Sequence, residues 1–150
     1  MGGVGTLRQA HTACGGENIS PRMVWVNIPE GTRSFALTIH DKDAPTDGGF
    51  WHWVIYNIPA DVKEIVSGAG DLSKKLAPKG SVQSITDYGS VGYGGPCPPA
   101  GHGWHSYMCT LYALDTEFLD LPDSTPPAQV AFNLWNHTIQ KCSIVFYYKN

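Results

Sequence analysis

Phe50-Trp51-His52-Trp53-Val54-Ile55-Tyr56-Asn57-Ile58 is a dense aromatic and β-branched run, closed by Pro59. Such a run reads as a central β-strand covered on both faces. Proline ends it because it cannot donate to a ladder. Upstream, Ser34 to His40 alternates. Phe35, Leu37 and Ile39 share one face, and Ser34, Ala36, Thr38 and His40 share the other, which predicts a half-buried strand. Ser106 to Leu114 and Ser143 to Tyr148 read as further strands, and Met23 to Ile28 as a short one closed by the Pro29-Glu30-Gly31 turn. One helix is expected from about Pro126 to Ile139. Thr125 would cap it, a proline suits its first turn, and Val130, Leu134, Trp135 and Thr138 follow helical spacing. From Ile65 to Gly101 the chain lacks periodicity and is rich in Gly, Ser and Pro, and long irregular stretches inside a domain are usually functional.

The composition agrees with a compact, mostly β domain. The 150 residues suit one domain, and 42% of them are hydrophobic. Only 15% are charged, against roughly 25% in an average soluble domain. Seventeen glycines and eleven prolines make up close to a fifth of the chain. A coiled coil would be richer in Ala, Glu, Lys and Leu, and a disordered chain needs low hydrophobicity and high net charge. A net charge of -3 with no basic cluster beyond Lys74-Lys75 gives no footprint for nucleic acid. No apolar run reaches the roughly 18 residues of a membrane span, and Met1 to Ala10 has no apolar signal-peptide core. Of Cys14, Cys97, Cys109 and Cys142, none forms a Cys-x-x-Cys pair, so reduced thiols in the cytoplasm are the expectation. Cys109 is expected to pack as a small hydrophobe. A single domain over 1–150 is expected, with residues 1–13 flexible or forming a partial N-terminal strand.

Three segments hold the chemistry. His40-Asp41-Lys42-Asp43-Ala44-Pro45 leaves one strand, His52 interrupts another, and Tyr93-Gly94-Gly95-Pro96-Cys97-Pro98-Pro99 leads to His102, His105 and Tyr107. A histidine inside an apolar strand is costly unless its ring nitrogens find partners. Histidine and tyrosine supply N–H and O–H donors, and amides beside glycines add more. Asp41 would fix a histidine tautomer. The set reads as a pocket for a small dianion such as phosphate, preorganised by prolines.

At these residues the sequence resembles the phosphatidylethanolamine-binding protein family, in particular its bacterial and archaeal Raf-kinase-inhibitor-like branch. The likeness runs from Cys14 onward. It is carried by Gly16-Glu17-Asn18-Ile19-Ser20-Pro21, the Asp41 to Pro45 segment, His52 to Pro59, Tyr93 to Pro99, and His105-Ser106-Tyr107 leading into Leu111 to Asp115. The resemblance implies a central antiparallel sheet, a second smaller sheet and one or two short helices. It implies a non-enzymatic binding protein whose pocket takes phosphate or phosphorylethanolamine-like head groups, without a cofactor. Carried over residue by residue, the pocket uses Asp41, His52, Pro98, Pro99, His105 and Tyr107. His52 and His105 donate to the anion as protonated rings, and Asp41 orients a histidine. Asp43 and Pro45 shape the rim, and Gly95 and Cys97 contribute backbone amides. A kinase or protease partner, a phospholipid head group and a homodimer are the associations it implies.

Two positions depart from the family pattern. Lys42 replaces a proline, and Ser106 replaces an arginine between His105 and Tyr107, which would leave Asp43 without that brace. His102 reads as a loop residue. The alternative function is a metal-dependent or Cys–His hydrolase in the same pocket. His102-x-x-His105 with His52 and Asp41 could hold zinc, and Cys97 near His105 could act as a nucleophile. Against this, Cys97 has no helix N-terminus to lower its pKa, and the chain has no Gly-x-Ser-x-Gly elbow.

Overall fold

The structure, a computed structural model, describes residues 2–150; Met1, the first residue of the 1–13 segment, lies outside them. Among the described residues, eight strands and one α-helix follow in the order β1 (Gly2–Val4), β2 (Met23–Val24), β3 (Ser34–Asp41), β4 (Phe50–Pro59), β5 (Glu64–Ile65), β6 (Val82–Gln83), β7 (His105–Leu114), α1 (Pro127–His137) and β8 (Thr138–Tyr148). The large sheet has the order β1-β8-β7-β3-β4-β6, and β2 pairs with β5 in a second, two-stranded sheet. The large sheet is antiparallel except where β1 runs parallel to β8, Gly2 opposite Val145.

Each face of the large sheet carries a core. Phe35, Leu37 and Ile39 pack with Trp53, Ile55, Tyr107 and Cys109 beneath Trp25, Ile65 and Tyr93. On the other face Ala36, Val54, Tyr56 and Leu114 meet Leu119 and the α1 residues Val130 and Leu134. The half-buried reading of β3 is therefore corrected: all of its residues except His40 are buried. Its small polar face is covered too, and Ser34 Oγ donates to Thr116 O at 2.5 Å. The clean alternation distinguished large from small residues rather than core from solvent.

Other boundaries moved for local reasons. The Met23–Ile28 strand stops at Val24, and Asn27 has a left-handed φ of +58° that breaks an extended run. Thr125 does not cap α1. Its hydroxyl donates to Pro122 O at 2.6 Å, and Pro126 holds the N-cap position without a side-chain hydrogen bond. Trp135 points outward and is 73% exposed. The helix ends at His137 rather than Ile139, and β8 starts directly after it at Thr138 rather than at Ser143; its first half is mostly exposed and shows no alternation to read. No helix among the described residues is long and apolar enough to cross a membrane.

Candidate functional site

Register places the chemistry at one end of the large sheet. Asp41, the last residue of β3, lies opposite both Phe50 of β4 and Tyr107 of β7. His105 and Tyr107 are two apart on β7 and so face the same way. Between these strand ends and the 93–99 loop lies a cavity of about 210 Å³. Of the residues expected in the pocket, Asp41, Pro45, His52, Cys97, Pro98, Pro99, His105 and Tyr107 line it, and Asp43 and Gly95 do not. Ala44, Thr46, Phe50 and Tyr88 also line it. Of these, Tyr88 stands alone in the aperiodic stretch, where no pattern marks it.

The 93–99 loop is held by close backbone packing. Gly94 N–H donates to His52 O at 2.9 Å. A Cβ on Gly94 would meet the Tyr88 ring at 2.3 Å, and one on Gly95 would meet Gln9 O at 1.9 Å, so only glycine fits at either position. Gly95 N–H is not free for a ligand, because it donates to Asn18 Oδ1 at 2.7 Å. Tyr88 donates its hydroxyl to Gly95 O at 2.7 Å. Burial pushes this phenol up to about 12.

The Asp41 carboxylate uses both oxygens. Oδ1 accepts Asp43 N–H at 2.8 Å, and Oδ2 accepts His105 Nδ1–H at 2.7 Å, with both side chains almost completely buried. That bond fixes the His105 ring and leaves Nε2 as its remaining nitrogen. His52 gives its Nδ1–H to Gly94 O at 2.7 Å. Burial lowers its pKa to about 4, against the pull of the Gly94 carbonyl and the Asp41 charge. The expectation that His52 donates as a protonated ring is corrected for the free pocket: the ring is neutral, and Nε2 carries a lone pair.

Tyr107 is fully buried, and its hydroxyl lies near the Asp41 carboxylate without forming a well-formed hydrogen bond. Burial, followed by the Asp41 charge, holds this phenol far above its ordinary value. Its ring meets that of His52 edge-on at 5.1 Å.

Asp43 sits outside the cavity, but it does not lack a brace. Ser106 N–H donates to Asp43 Oδ2 at 2.7 Å, and the Ser106 hydroxyl donates to the same oxygen. These bonds hold the carboxyl below its ordinary range. The expected loss of support at this position is overturned, since serine bonds the carboxylate directly.

The cysteines correct another expectation. Cys14 and Cys97 form a disulfide with Cα atoms 5.6 Å apart, while Cys109 and Cys142 are free. Disulfides persist in oxidising compartments, so reduced thiols do not describe this pair. With its sulfur bonded to Cys14, Cys97 has no thiolate to act as a nucleophile. Among the described residues, no group of three or more His, Cys, Asp or Glu side chains is arranged to hold a metal ion. His102 instead places Nδ1 3.1 Å from His105 Nε2, a hydrogen bond rather than a shared ligand point.

Comparison with known proteins bears on the same chain. The family model described as phosphatidylethanolamine-binding protein matches residues 3–149. The UPF0098 protein YbhB of Escherichia coli is 43% identical over 129 residues, covering 86% of this chain and 80% of that one. A UPF0098 protein of Aquifex aeolicus is 42% identical over 136 residues, 91% of this chain and 77% of that one. The crystal structure of E. coli YbcL, described as a member of the mammalian PEBP family, superimposes with a TM-score of 0.95 at 38% identity, covering 98% of this chain and 91% of that one. A PEBP homologue from Chlamydia trachomatis superimposes with a TM-score of 0.81 at 27% identity, covering 99% and 91%.

Proposed function

Because the chain belongs to the phosphatidylethanolamine-binding protein family, we propose that the cavity at the ends of β3, β4 and β7 binds a small phosphate-bearing anion. Inorganic phosphate and phosphorylethanolamine-like head groups are the ligand class, and the protein acts as a binding protein.

The observation that carries this reading is the Tyr107 hydroxyl, buried in the cavity wall beside the Asp41 carboxylate without a well-formed hydrogen bond. Buried polar side chains without partners are rare, and leaving one unsatisfied costs roughly 1–3 kcal/mol. A phosphoryl oxygen is an acceptor that this donor lacks. His52 supports the same class of ligand. Its neutral Nε2 accepts a hydrogen bond, and the monoanion of a phosphate monoester, whose second pKa is about 6, carries the P–O–H that donates one. For a phosphate monoester such as phosphorylethanolamine the pocket therefore favours the monoanion, and its affinity falls as pH rises through about 6. A kinase or protease partner would meet the rim near Asp43 and Pro45, and phosphate would then compete with it.

The test is calorimetric titration of phosphate and phosphorylethanolamine into wild type and Tyr107→Phe. The lost hydrogen bond to a charged group should weaken binding about tenfold or more. Thermal stability should stay level or rise, because the variant removes an unsatisfied buried group. Equal affinity in the two proteins would remove the basis of this reading.

A further inference from the structure

His102 stands outside the family pattern, yet it touches the buried chemistry of the cavity. Its Nδ1 is 3.1 Å from His105 Nε2, the nitrogen His105 has left once Nδ1–H goes to Asp41. One hydrogen lies between the two rings. Asp41 and His105 are buried and His102 is exposed, so the three form a hydrogen-bonded chain from the end of β3 to the solvent.

A count of donors shows what the cavity lacks. His52 spends its Nδ1–H on Gly94 O, and Gly95 spends its amide on Asn18. Pro98 and Pro99 have no N–H. The Tyr107 hydroxyl and the Cys97 amide are left, and a phosphate carries more negative charge than these neutral donors can answer.

We propose that His102 is a third anion-binding histidine of this pocket, turning from His105 to the anion as an imidazolium. The inference rests on the anion reading and names the residue that supplies the missing charge. His102 N–H donates to Pro99 O at 3.1 Å and anchors the turn, so it is the exposed His102 side chain that turns. Gly101 and Gly103 hold left-handed φ values of +80° and +85°, and neither has an atom within 4 Å of where a Cβ would stand. The His102 ring is exposed, whereas the His52 ring is sealed beside Gly94. The titratable groups around the His102–His105 pair are Asp41 of β3, Asp43 beyond it, His52 of β4, Tyr88, and Tyr107 of β7.

The experiment is calorimetric titration of inorganic phosphate between about pH 5.5 and 7.5, in buffers of different ionisation enthalpy, which counts protons taken up on binding. His102→Ala should bind about tenfold more weakly than wild type and take up fewer protons. His102→Gln keeps a neutral donor and should recover part of the affinity but none of the proton uptake. Unchanged affinity and uptake in His102→Ala would overturn the proposal. Tighter binding would overturn it too, by marking His102 as a competitor for His105. Tyr107→Phe separates the two levels: if it loses binding while His102→Ala keeps it, only the role of His102 falls. If wild type shows no saturable binding, the anion reading falls and this one with it.

Discussion

Burying His52 in an apolar strand disfavours its protonated form. Its pKa is about 4 in the folded chain, against about 6.5 for an ordinary histidine. Between these values the unfolded chain binds a proton that the native state refuses, so stability rises with pH across that window and is lost as pH falls through it. The size is up to about 3 kcal/mol, from roughly 1.4 kcal/mol per unit. Thermal unfolding between about pH 4 and 7 should therefore show an acid-side loss in wild type that is much reduced in His52→Gln. Parallel curves for the two proteins would move the acid sensitivity elsewhere. At this scale much of the site was legible. Asp41, His52, His105 and Tyr107 stand in motifs whose order and spacing are specific, and the register brings them to one cavity. Their protonation was not legible, because it depends on where Gly94 O lies and on how deeply the ring is sealed. Tyr88 and the contact of His102 depend on loop geometry that no periodicity encodes.

Among the elements, β4 shows how a strand read from hydrophobicity can hide a joint. Two of its residues, Tyr56 and Asn57, fall at a register shift between Phe35 and Leu37 of β3. Asn57 takes a left-handed φ of +56° there, a conformation that asparagine tolerates better than most residues. Its side chain is buried and clamps the segment that covers the second core: Nδ2 donates to Leu119 O at 3.1 Å, and Oδ1 accepts Leu119 N–H at 2.8 Å. Asn57→Ala strips both bonds, leaves two buried Leu119 groups unpaired and forces alanine into an unfavourable φ. The expected loss is about 3 kcal/mol or more, read as a lower denaturant midpoint. Asn57→Gly relieves the φ but not the hydrogen bonds and should recover only part of it. An Asn57→Ala midpoint close to wild type would show that the clamp contributes little. The sequence placed the strand but not the clamp, since the Leu119 backbone reaches Asn57 only through tertiary packing.

Across the whole molecule, the N-terminal segment and the cavity wall are joined four ways by hydrogen bonds, one of them from Asn18 Nδ2 to Tyr93 O at 3.3 Å, and once covalently. His11 N–H donates to Pro96 O at 3.0 Å, the Tyr93 hydroxyl donates to Gln9 O at 2.9 Å, and Gly95 N–H donates to Asn18. The Cys14–Cys97 bond then closes a loop with a sequence separation of 83. Such distance leaves no local spacing from which pairing could be read, and a compartment default stood in for geometry. A disulfide of this kind typically contributes roughly 2–4 kcal/mol, mainly by restricting the unfolded chain. At about 2–4 °C per kcal/mol for a chain of this size, reduction should lower the melting temperature by roughly 5–15 °C. Thiol titration of the unfolded protein should find the two free cysteines, Cys109 and Cys142, before reduction and all four after it. Cys14→Ser should melt like the reduced protein, whereas Cys142→Ser, at an exposed position, should melt like wild type. Because the four hydrogen bonds still hold the wall once the covalent link is gone, stability should fall far more than phosphate affinity. Four reactive thiols before reduction would remove the crosslink. A loss of phosphate binding as large as the loss of stability would mean that the disulfide, rather than the hydrogen bonds, shapes the cavity.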